Sequence, residues 1–351
     1  MLKLNPLTQK KLNRFKSIKR GYYSFIILIS FILLSFVAEL FINSRALIVK
    51  YDGSYHFPTY RAIYKGSDFG ENYSYEVKYR ELKEKFAKED KGNWVLMPFI
   101  PFNAFEDDLA PEGEYHPLAP SSERGHYLGT DKNGRDIAAR LVYGFRIAIL
   151  FSLMLLFANY SVGVTIGCMM GYIGGWFDLI FQRIIEIWQN IPFLYAIMIV
   201  STLPGIVPGF WMLVGIYCFF GWMGITWYMR TATLKERERE YVHAAKAMGA
   251  SNTRIIFSHV LPNTVSVLVT FIPFGISGAI IGLTSLDFLG YGLPAPTPSW
   301  GELLQQGTEQ LHAPWIVTSV FVALVVILFM VSLIGEAVRE AFDPKKFTTY
   351  E

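Results

Sequence analysis

The chain has 351 residues, of which 52% are hydrophobic and only 17% are charged, and its mean hydropathy is +0.31. Soluble domains carry about 25% charged residues, so this composition indicates a membrane protein. The net charge of +3 is too small to favour a nucleic-acid partner. Cys168 and Cys218 lie in separate apolar runs without the spacing of a metal or redox motif, and we expect them to be packing residues.

Six apolar runs are long enough to form membrane-spanning helices, each of which needs about 20 residues. They are residues 25–42, 147–169, 184–203, 210–227, 265–283 and 316–334. The first run exceeds the ~7–15 apolar residues of a secretion signal and has no clear cleavage site after it, so we interpret it as a retained helix. The sequence therefore predicts an all-α membrane protein with about six transmembrane helices.

The basic residues predict the orientation of these helices. Residues 1–22 contain seven Lys and Arg and no acidic residue, and the segment between the fourth and fifth runs is also basic. The connections at 204–209 and 287–314 contain neither Lys nor Arg. Because cytoplasmic loops are enriched in Lys and Arg, both termini are predicted to be cytoplasmic. The predicted segments are a cytoplasmic tail (1–22), a first transmembrane helix (23–44), a periplasmic insert (45–127), an interfacial segment (128–146), a core (147–340) and a cytoplasmic tail (341–351).

The insert is polar and rich in tyrosine. Tyr75, Tyr79, Leu82 and Phe86 recur at helical spacing and predict one amphipathic helix. Favourable i,i+4 ion pairs on this helix are expected for Glu81 with Lys85 and for Glu84 with Lys88. Residues 98–120 are rich in Pro and acidic residues and are predicted to be a loop. We expect a small extracytoplasmic subdomain, and the alternative is a weakly ordered tether.

The segment after the insert is predicted to begin a helix. Thr130 or Asp131 is suited to cap it, and apolar residues line one side after Arg135. We expect this helix to lie at the membrane surface before the second transmembrane helix.

Five charged residues lie at or near the ends of the apolar runs. Glu39 and Arg146 are predicted to reach the lipid head groups. Arg183 and Glu186, three residues apart, are expected to pair with each other, and the alternative is an inner gate or a contact between subunits. Asp287 lies at the outer end of the fifth run and is a candidate for the outer mouth.

Residues 235–262 form the most distinctive polar segment of the chain. Residues 235–248 are strong helix formers, and Tyr241, Ala244, Ala245 and Met248 are predicted to share one face that another surface can approach closely. Gly249 is expected to end this helix in the left-handed conformation.

A second short helix is predicted at residues 253–259. Ser251 or Asn252 is expected to cap it, and Leu261-Pro262 is expected to end it before the fifth transmembrane helix. The result would be two helices joined by a turn and attached to two transmembrane helices, so that a push on the turn becomes helix motion.

Ala244-Ala245-x-x-x-Gly249, followed by Leu261-Pro262, resembles the coupling loop of bacterial ABC importer permeases. This chain has His243 where the family has Glu, and His259 where the family usually has Ile; Glu240 is a possible substitute carboxylate. Three further segments resemble peptide and nickel permeases of this family. They are the segment from Leu128-Gly129-Thr130-Asp131 to Arg146, Gly174-Gly175-Trp176-x-Asp178 with Arg183, Glu186 and Pro192, and the Asp287 segment at 285–301.

This resemblance implies a type I ABC-transporter transmembrane domain. It implies the C-type permease subunit of a dipeptide or oligopeptide importer, and the long insert is most similar to the oligopeptide and microcin C branch. The implied partners are a second homologous permease subunit in a heterodimer, two ATPase subunits or one fused ATPase, a periplasmic substrate-binding protein and the lipid bilayer of the inner membrane. The implied coupling residues are Glu240, Tyr241, His243, Ala244, Ala245, Gly249, Ser251, Arg254, Leu261 and Pro262.

Sequence motifs for catalysis are missing. The chain has no Gly-x-x-x-x-Gly-Lys-Ser/Thr phosphate loop, no His-Glu-x-x-His and no Gly-x-Ser-x-Gly, and its six histidines form no ligand cluster in sequence. We therefore expect no enzyme activity and no cofactor on this chain, with ATP and Mg²⁺ on the partner ATPase. Three alternatives are a nickel or other small-solute permease, an ion-driven secondary transporter, and a membrane-anchored enzyme or sensor that works through the insert. The secondary transporter would need acidic residues in the middle of the spans, where the sequence has none.

Overall fold

Helices make up most of the chain in a computed structural model, which describes residues 6–60, 63–89, 91–206 and 208–342. In chain order the helices are α1 (Pro6–Ser17), α2 (Lys19–Phe36), α3 (Tyr79–Glu89), α4 (Ile137–Ile173), α5 (Gly175–Gln189), α6 (Phe193–Ser201), α7 (Phe210–Arg237), α8 (Glu240–Ala247), α9 (Asn252–Arg254), α10 (Leu261–Phe288), α11 (Trp300–Glu309) and α12 (Pro314–Phe342). Three short strands lie in the insert: β1 (Ile48–Tyr51), β2 (Ser54–His56) and β3 (Trp94–Leu96).

Five of the described helices, α2, α4, α7, α10 and α12, are long and apolar enough to cross a membrane. Helices α5 and α6 pass the same test only together, so the number of spans is six if this bent pair counts as one. This count agrees with the predicted fold class. The third predicted run, 184–203, is wrong as a single helix, because α5 and α6 are bent by 72° at the break between them. Pro192 has no N–H and forms the N-cap of α6, so the chain cannot continue as a regular helix there.

The second span begins earlier than predicted. Residues 137–173 form one continuous helix, α4, so the separate helix at the membrane surface is wrong. The capping residue is Asp136, whose carboxylate accepts a hydrogen bond from the Ala139 N–H at 2.7 Å, and not Thr130 or Asp131. At 1.5 Å per residue α4 is about 55 Å long, which exceeds the ~30 Å hydrocarbon core of a bilayer. Part of α4 therefore projects out of the hydrocarbon region.

Helices α4 and α7 pack closely along a line of glycines. Gly163, Gly167 and Gly171 lie four residues apart on α4, and a Cβ at each would come within 2.5–2.6 Å of a backbone oxygen of α7. Small residues at this spacing allow membrane helices to approach each other. Helix α7 therefore packs closely on α4 as far as Arg230, about two turns before α7 ends.

The N-terminal segment is also more structured than predicted. Residues 6–17 form α1, and α2 starts at Lys19, so the first span starts before residue 23. The ammonium group of Lys11 lies 4.8 Å from the ring centre of Phe342, at the end of α12. Residues 343–351, which include most of the predicted C-terminal tail, lie outside the described residues.

The insert has its own small core. Its strands form an antiparallel sheet in the order β2-β1-β3. The predicted amphipathic helix is present as α3 with Tyr79, Leu82 and Phe86 buried, but Tyr75 lies before it and is exposed. The buried cluster consists of Ala46, Val49, Phe69, Val77, Tyr79, Leu82, Phe86 and Val95. The predicted pairing of Glu81 with Lys85 is wrong, since Glu81 pairs with Lys78 and Lys85 pairs with Glu71, each at 2.8 Å. The side of the membrane on which this subdomain lies stays a prediction.

Candidate coupling surface

The 235–262 segment starts with a break in the helix. Helix α7 ends at Arg237, and α8 begins at Glu240 after the extended N-cap residue Arg239. The single helix predicted for residues 235–248 is therefore wrong, because it is divided between the end of α7 and a separate two-turn helix, α8.

The residues of α8 divide between two faces. Val242 and Ala245 are buried against Ile255 and the residues that follow it. Ala244 is exposed, and Met248 is 82% exposed. The predicted common face of Tyr241, Ala244, Ala245 and Met248 is therefore wrong, because Ala245 packs inward. The exposed surface includes His243, Ala244, Lys246, Met248, Ser251 and Arg254.

Tyr241 joins α8 to α7. Its hydroxyl donates a hydrogen bond to Glu236 Oε2 at 2.9 Å. Burial and this hydrogen bond raise the pKa of Tyr241 to about 12, so the hydroxyl remains a donor at neutral pH. The contact holds α8 against the last turn of α7.

The turn after α8 has the two features predicted for it. Gly249 has φ +82°, and its N–H donates to the Lys246 carbonyl at 3.0 Å. Ser251 Oγ then accepts a hydrogen bond from the Arg254 N–H at 3.4 Å, which caps the next helix. The left-handed glycine and the serine cap are thus both present.

The second helix does not end at Leu261-Pro262. Helix α9 passes into a π-helical turn, Ile255–Val260, and then directly into α10. Pro262 lies in the first turn of α10, directly after the π-helical turn, and has no N–H to donate to that preceding turn. His259 lies within the π-helical turn, and its carbonyl accepts a hydrogen bond from Asn263 at 2.8 Å. The loop is therefore continuous with α10, which gives it a stiffer connection than predicted.

The other predicted site residues lie away from this surface. Arg183 and Glu186 form the expected pair on α5 at 2.5 Å, with side chains that are 69% and 44% exposed. Asp287 is buried, and its carboxylate accepts hydrogen bonds from the Leu293 N–H and the Ser299 hydroxyl. It anchors the 290–299 loop and is not an exposed group at the outer mouth.

Glu39 and Arg146 were predicted to reach head groups, but they form an ion pair at 2.8 Å. The pair joins the short turn after α2 to α4. The sequence carries no signal for it, because the two residues are 107 positions apart.

A buried charge cluster joins the start of α4 to α11. Arg135 donates to Asp131 at 2.8 Å and to Glu302 at 2.7 Å, and Arg140 also donates to Glu302. Asp131, Arg135 and Arg140 are all at most 2% exposed. From the sequence, Asp131 was predicted as a helix cap and both arginines fall within the family-like segment 128–146, but the remote partner Glu302 was missed.

His126 is a second buried polar centre on this side of the chain. Its ring nitrogens lie 2.9 Å from Asp136 and 3.3 Å from Asp108, and its ring stacks on Phe102 with centres 3.8 Å apart. Burial alone lowers the pKa of His126, but the hydrogen bonds with the two carboxylates raise it above its ordinary value. His126 therefore links Asp108 of the insert to Asp136, the N-cap residue of α4.

Comparisons with known proteins agree with this architecture. Residues 163–348 match the family described as binding-protein-dependent transport system inner membrane component. The chain is 42% identical over 346 residues to the inner membrane ABC transporter permease protein YejE of Escherichia coli (strain K12), covering 99% of each chain.

Two further relatives carry more specific names. The chain is 37% identical over 366 residues to the peptidoglycan transport system permease protein YejE of Agrobacterium fabrum, covering 97% of this chain and 94% of the relative. It is 32% identical over 248 residues to the oligopeptide transport system permease protein OppC of Haemophilus influenzae, covering 70% and 78%. The chain therefore belongs to the family of binding-protein-dependent transport system inner membrane components, as a multi-pass permease subunit of the ABC-transporter class.

Proposed function

We propose that this chain is one of two homologous permease subunits that together enclose the pathway of an ATP-driven peptide importer. The observation that carries the proposal is the similarity to permease proteins along nearly the whole chain, insert included. The bundle described above supplies about half of such a pathway, and a related subunit supplies the other half.

The loop formed by α8, Gly249 and α9 is the proposed docking surface for a separate ATPase. Most of its residues are exposed, and Gly249 and the Ser251 cap define its turn. It is joined to α7 at one end and, through the π-helical turn, to α10 at the other. The chain has no phosphate loop, so ATP and Mg²⁺ belong to two ATPase subunits or to one fused ATPase. We propose coupling roles for Glu240, Tyr241, His243, Ala244, Ala245, Gly249, Ser251, Arg254, Leu261 and Pro262. The exposed residues among them contact the ATPase, whereas the buried Ala245 and the hydrogen-bonded Tyr241 hold α8 in place.

The proposed orientation places this loop in the cytoplasm and the insert in the periplasm. A soluble binding protein would deliver the substrate to the insert side, where α11 and the buried charge cluster also lie. ATP-driven movement of the docked ATPases would shift α7 and α10 and would alternate access to the pathway.

Peptides are the proposed substrate class, because one relative is named for oligopeptide transport. Peptide-bearing fragments of peptidoglycan are a second candidate, favoured by the relative that is named for peptidoglycan transport and matches 97% of this chain.

The test is purification of the intact complex in mild detergent, followed by reconstitution into liposomes with its binding protein. Uptake of a labelled oligopeptide, a muropeptide and Ni²⁺ is measured with ATP and with a non-hydrolysable ATP analogue. We expect a co-purifying ATPase and ATP-dependent uptake of one of the two peptide substrates. An intact complex without an ATPase would refute the importer proposal, and uptake of Ni²⁺ alone would refute the substrate.

A further inference from the structure

The broken span, α5 with α6, is joined to α4 by a glycine joint. Gly174 and Gly175 are consecutive and have φ of +67° and +57°. Residues with a side chain rarely adopt this conformation, so the chain changes direction at a point that only glycine accommodates easily. The direction of α5 must therefore be fixed by contacts beyond the joint.

One such contact is an ion pair in the first turn of α5. Arg230 of α7 donates from Nε to Asp178 Oδ1 and from Nη2 to Asp178 Oδ2, both at 2.6 Å. The Asp178 side chain is 13% exposed and that of Arg230 is 21% exposed. Gln182 also donates to Asp178, at 2.9 Å. Two parallel hydrogen bonds fix the angle between the groups as well as their distance, so this pair sets the orientation of α5 on α7.

The remainder of α5 is held mainly by apolar contacts. Asp178 and Ile185 are its buried residues, and Ile185 packs between Met170 of α4 and Met223 of α7. Apolar contacts are non-directional and permit sliding, whereas the paired charges do not. Among the described residues, the Asp178–Arg230 ion pair is therefore a directional polar attachment between α5 and α7.

The same helix, α7, is attached to the proposed docking surface. Glu236, six residues after Arg230, accepts the hydrogen bond from Tyr241 of α8. Six residues correspond to about 9 Å along a helix. The guanidinium of Arg237 also lies beside the joint, 3.3 Å from where a Cβ of Gly174 would be. Within less than two turns, α7 thus contacts α8 on one side and α5 on the other.

We propose that Asp178 and Arg230 are positioning residues that transmit movement of the coupling loop through α7 to the broken span α5–α6. They contact no substrate in this role. The inference rests on the proposed function, since it requires an ATPase that moves the loop. Loss of the pair would leave docking and ATP hydrolysis in place while α5 no longer follows α7.

The experiment compares wild type with Asp178→Asn, Arg230→Lys and the charge-swapped double variant Asp178→Arg/Arg230→Asp in the reconstituted complex. The readout is the amount of peptide taken up per ATP hydrolysed, together with the amount of ATPase that co-purifies. We expect Asp178→Asn to lower this ratio about 10-fold, within the range typical of energetic coupling between sites, with ATPase binding unchanged. Arg230→Lys keeps the charge but not the two-point geometry and should give an intermediate ratio. The swapped variant should recover most of the loss.

Glu114→Gln is the matched control. Glu114 forms a two-point pair with Arg124 in the insert, with both hydrogen bonds at 2.7 Å, and it lies far from α5 in the chain. Its loss should leave the ratio unchanged.

A wild-type ratio in Asp178→Asn would overturn the inference, and so would a swapped variant no better than the single variants. If Asp178→Asn fails to assemble, Arg230→Lys decides: a wild-type ratio in that variant also overturns the inference. Absence of ATP-dependent uptake by the wild-type complex would instead refute the proposed function, so the two failures are distinguishable.

Discussion

The conformation of Gly249 leads to a prediction that separates backbone strain from side-chain size. The residue has φ +82°, and a Cβ built on it would have no atom within 4 Å. The cost of a side chain there is therefore conformational and not steric. An L-residue in the left-handed region costs roughly 1–2 kcal/mol, and this corresponds to a factor of about 5–30 in an equilibrium.

We predict that Gly249→Val lowers the equilibrium constant for the docking conformation of the coupling loop by about that factor. Gly249→Ala should have a smaller effect, and Gly249→Asn should be the mildest, because asparagine visits the left-handed region more readily. The assay is ATPase co-purification and ATP-dependent uptake across the three variants. The expected order of function is Asn, Ala and then Val.

Gly290 supplies the control. It has φ +80°, no atom within 4 Å of its Cβ position, and an N–H that donates to the Asp287 carbonyl at 3.1 Å. Gly290 follows the C-terminus of α10, just as Gly249 follows the C-terminus of α8. It therefore lies at the end of α10 that is away from the coupling loop. Gly290→Val should cost similar stability and leave ATPase binding intact. Full function in Gly249→Val, or equal loss of ATPase binding in Gly290→Val, would refute the reasoning.

Two further predictions concern the buried charges near the insert. Because the pKa of His126 is raised in the folded chain, the stabilisation it contributes is complete below the ordinary pKa of about 6.5 and is lost as the pH rises through the folded-state pKa. The resistance of the insert to proteolysis should therefore fall over that pH range in wild type and should show no such fall in His126→Gln. A wild type whose resistance does not depend on pH would contradict this. Asp131→Asn removes one of the two carboxylates that pair with the buried Arg135 and Arg140. It should lower the free energy of unfolding by about 3–5 kcal/mol, which would be measured as a loss of folded protein in detergent. Unchanged thermal stability of the variant would contradict this.

The sequence predicted well those features that depend on neighbouring residues. The number of spans follows from the lengths of the apolar runs, and the conformation of Gly249 and the Ser251 cap follow from local backbone chemistry. The roles proposed for the coupling residues stay predictions, since the structure gives their positions and not their partner.

The features that were missed depend on contacts between distant residues. Arg135 and Arg140 lie off the apolar side of the segment before the second run, so the start of α4 was predicted to be a helix at the membrane surface. Both side chains are instead buried and paired with Glu302. The 72° bend between α5 and α6 was missed for a different reason. The length of an apolar run does not show whether the helix axis changes direction within it. The break between α7 and α8 likewise follows from the burial of Val242 and Ala245 against Ile255.

The buried charge cluster also has a consequence for biosynthesis. The core of the insert comes from residues 46–95, so the insert can fold soon after it is synthesised. Glu302, in contrast, follows Arg140 by 162 residues, a stretch that takes about 10–30 s to synthesise at ~5–20 residues per second. During that interval two guanidinium groups at the start of α4 lack one of their carboxylates and must remain hydrated or be shielded by the insertion machinery. Chains truncated before α11 should therefore be cleaved by added protease near the start of α4 more readily than the full-length chain.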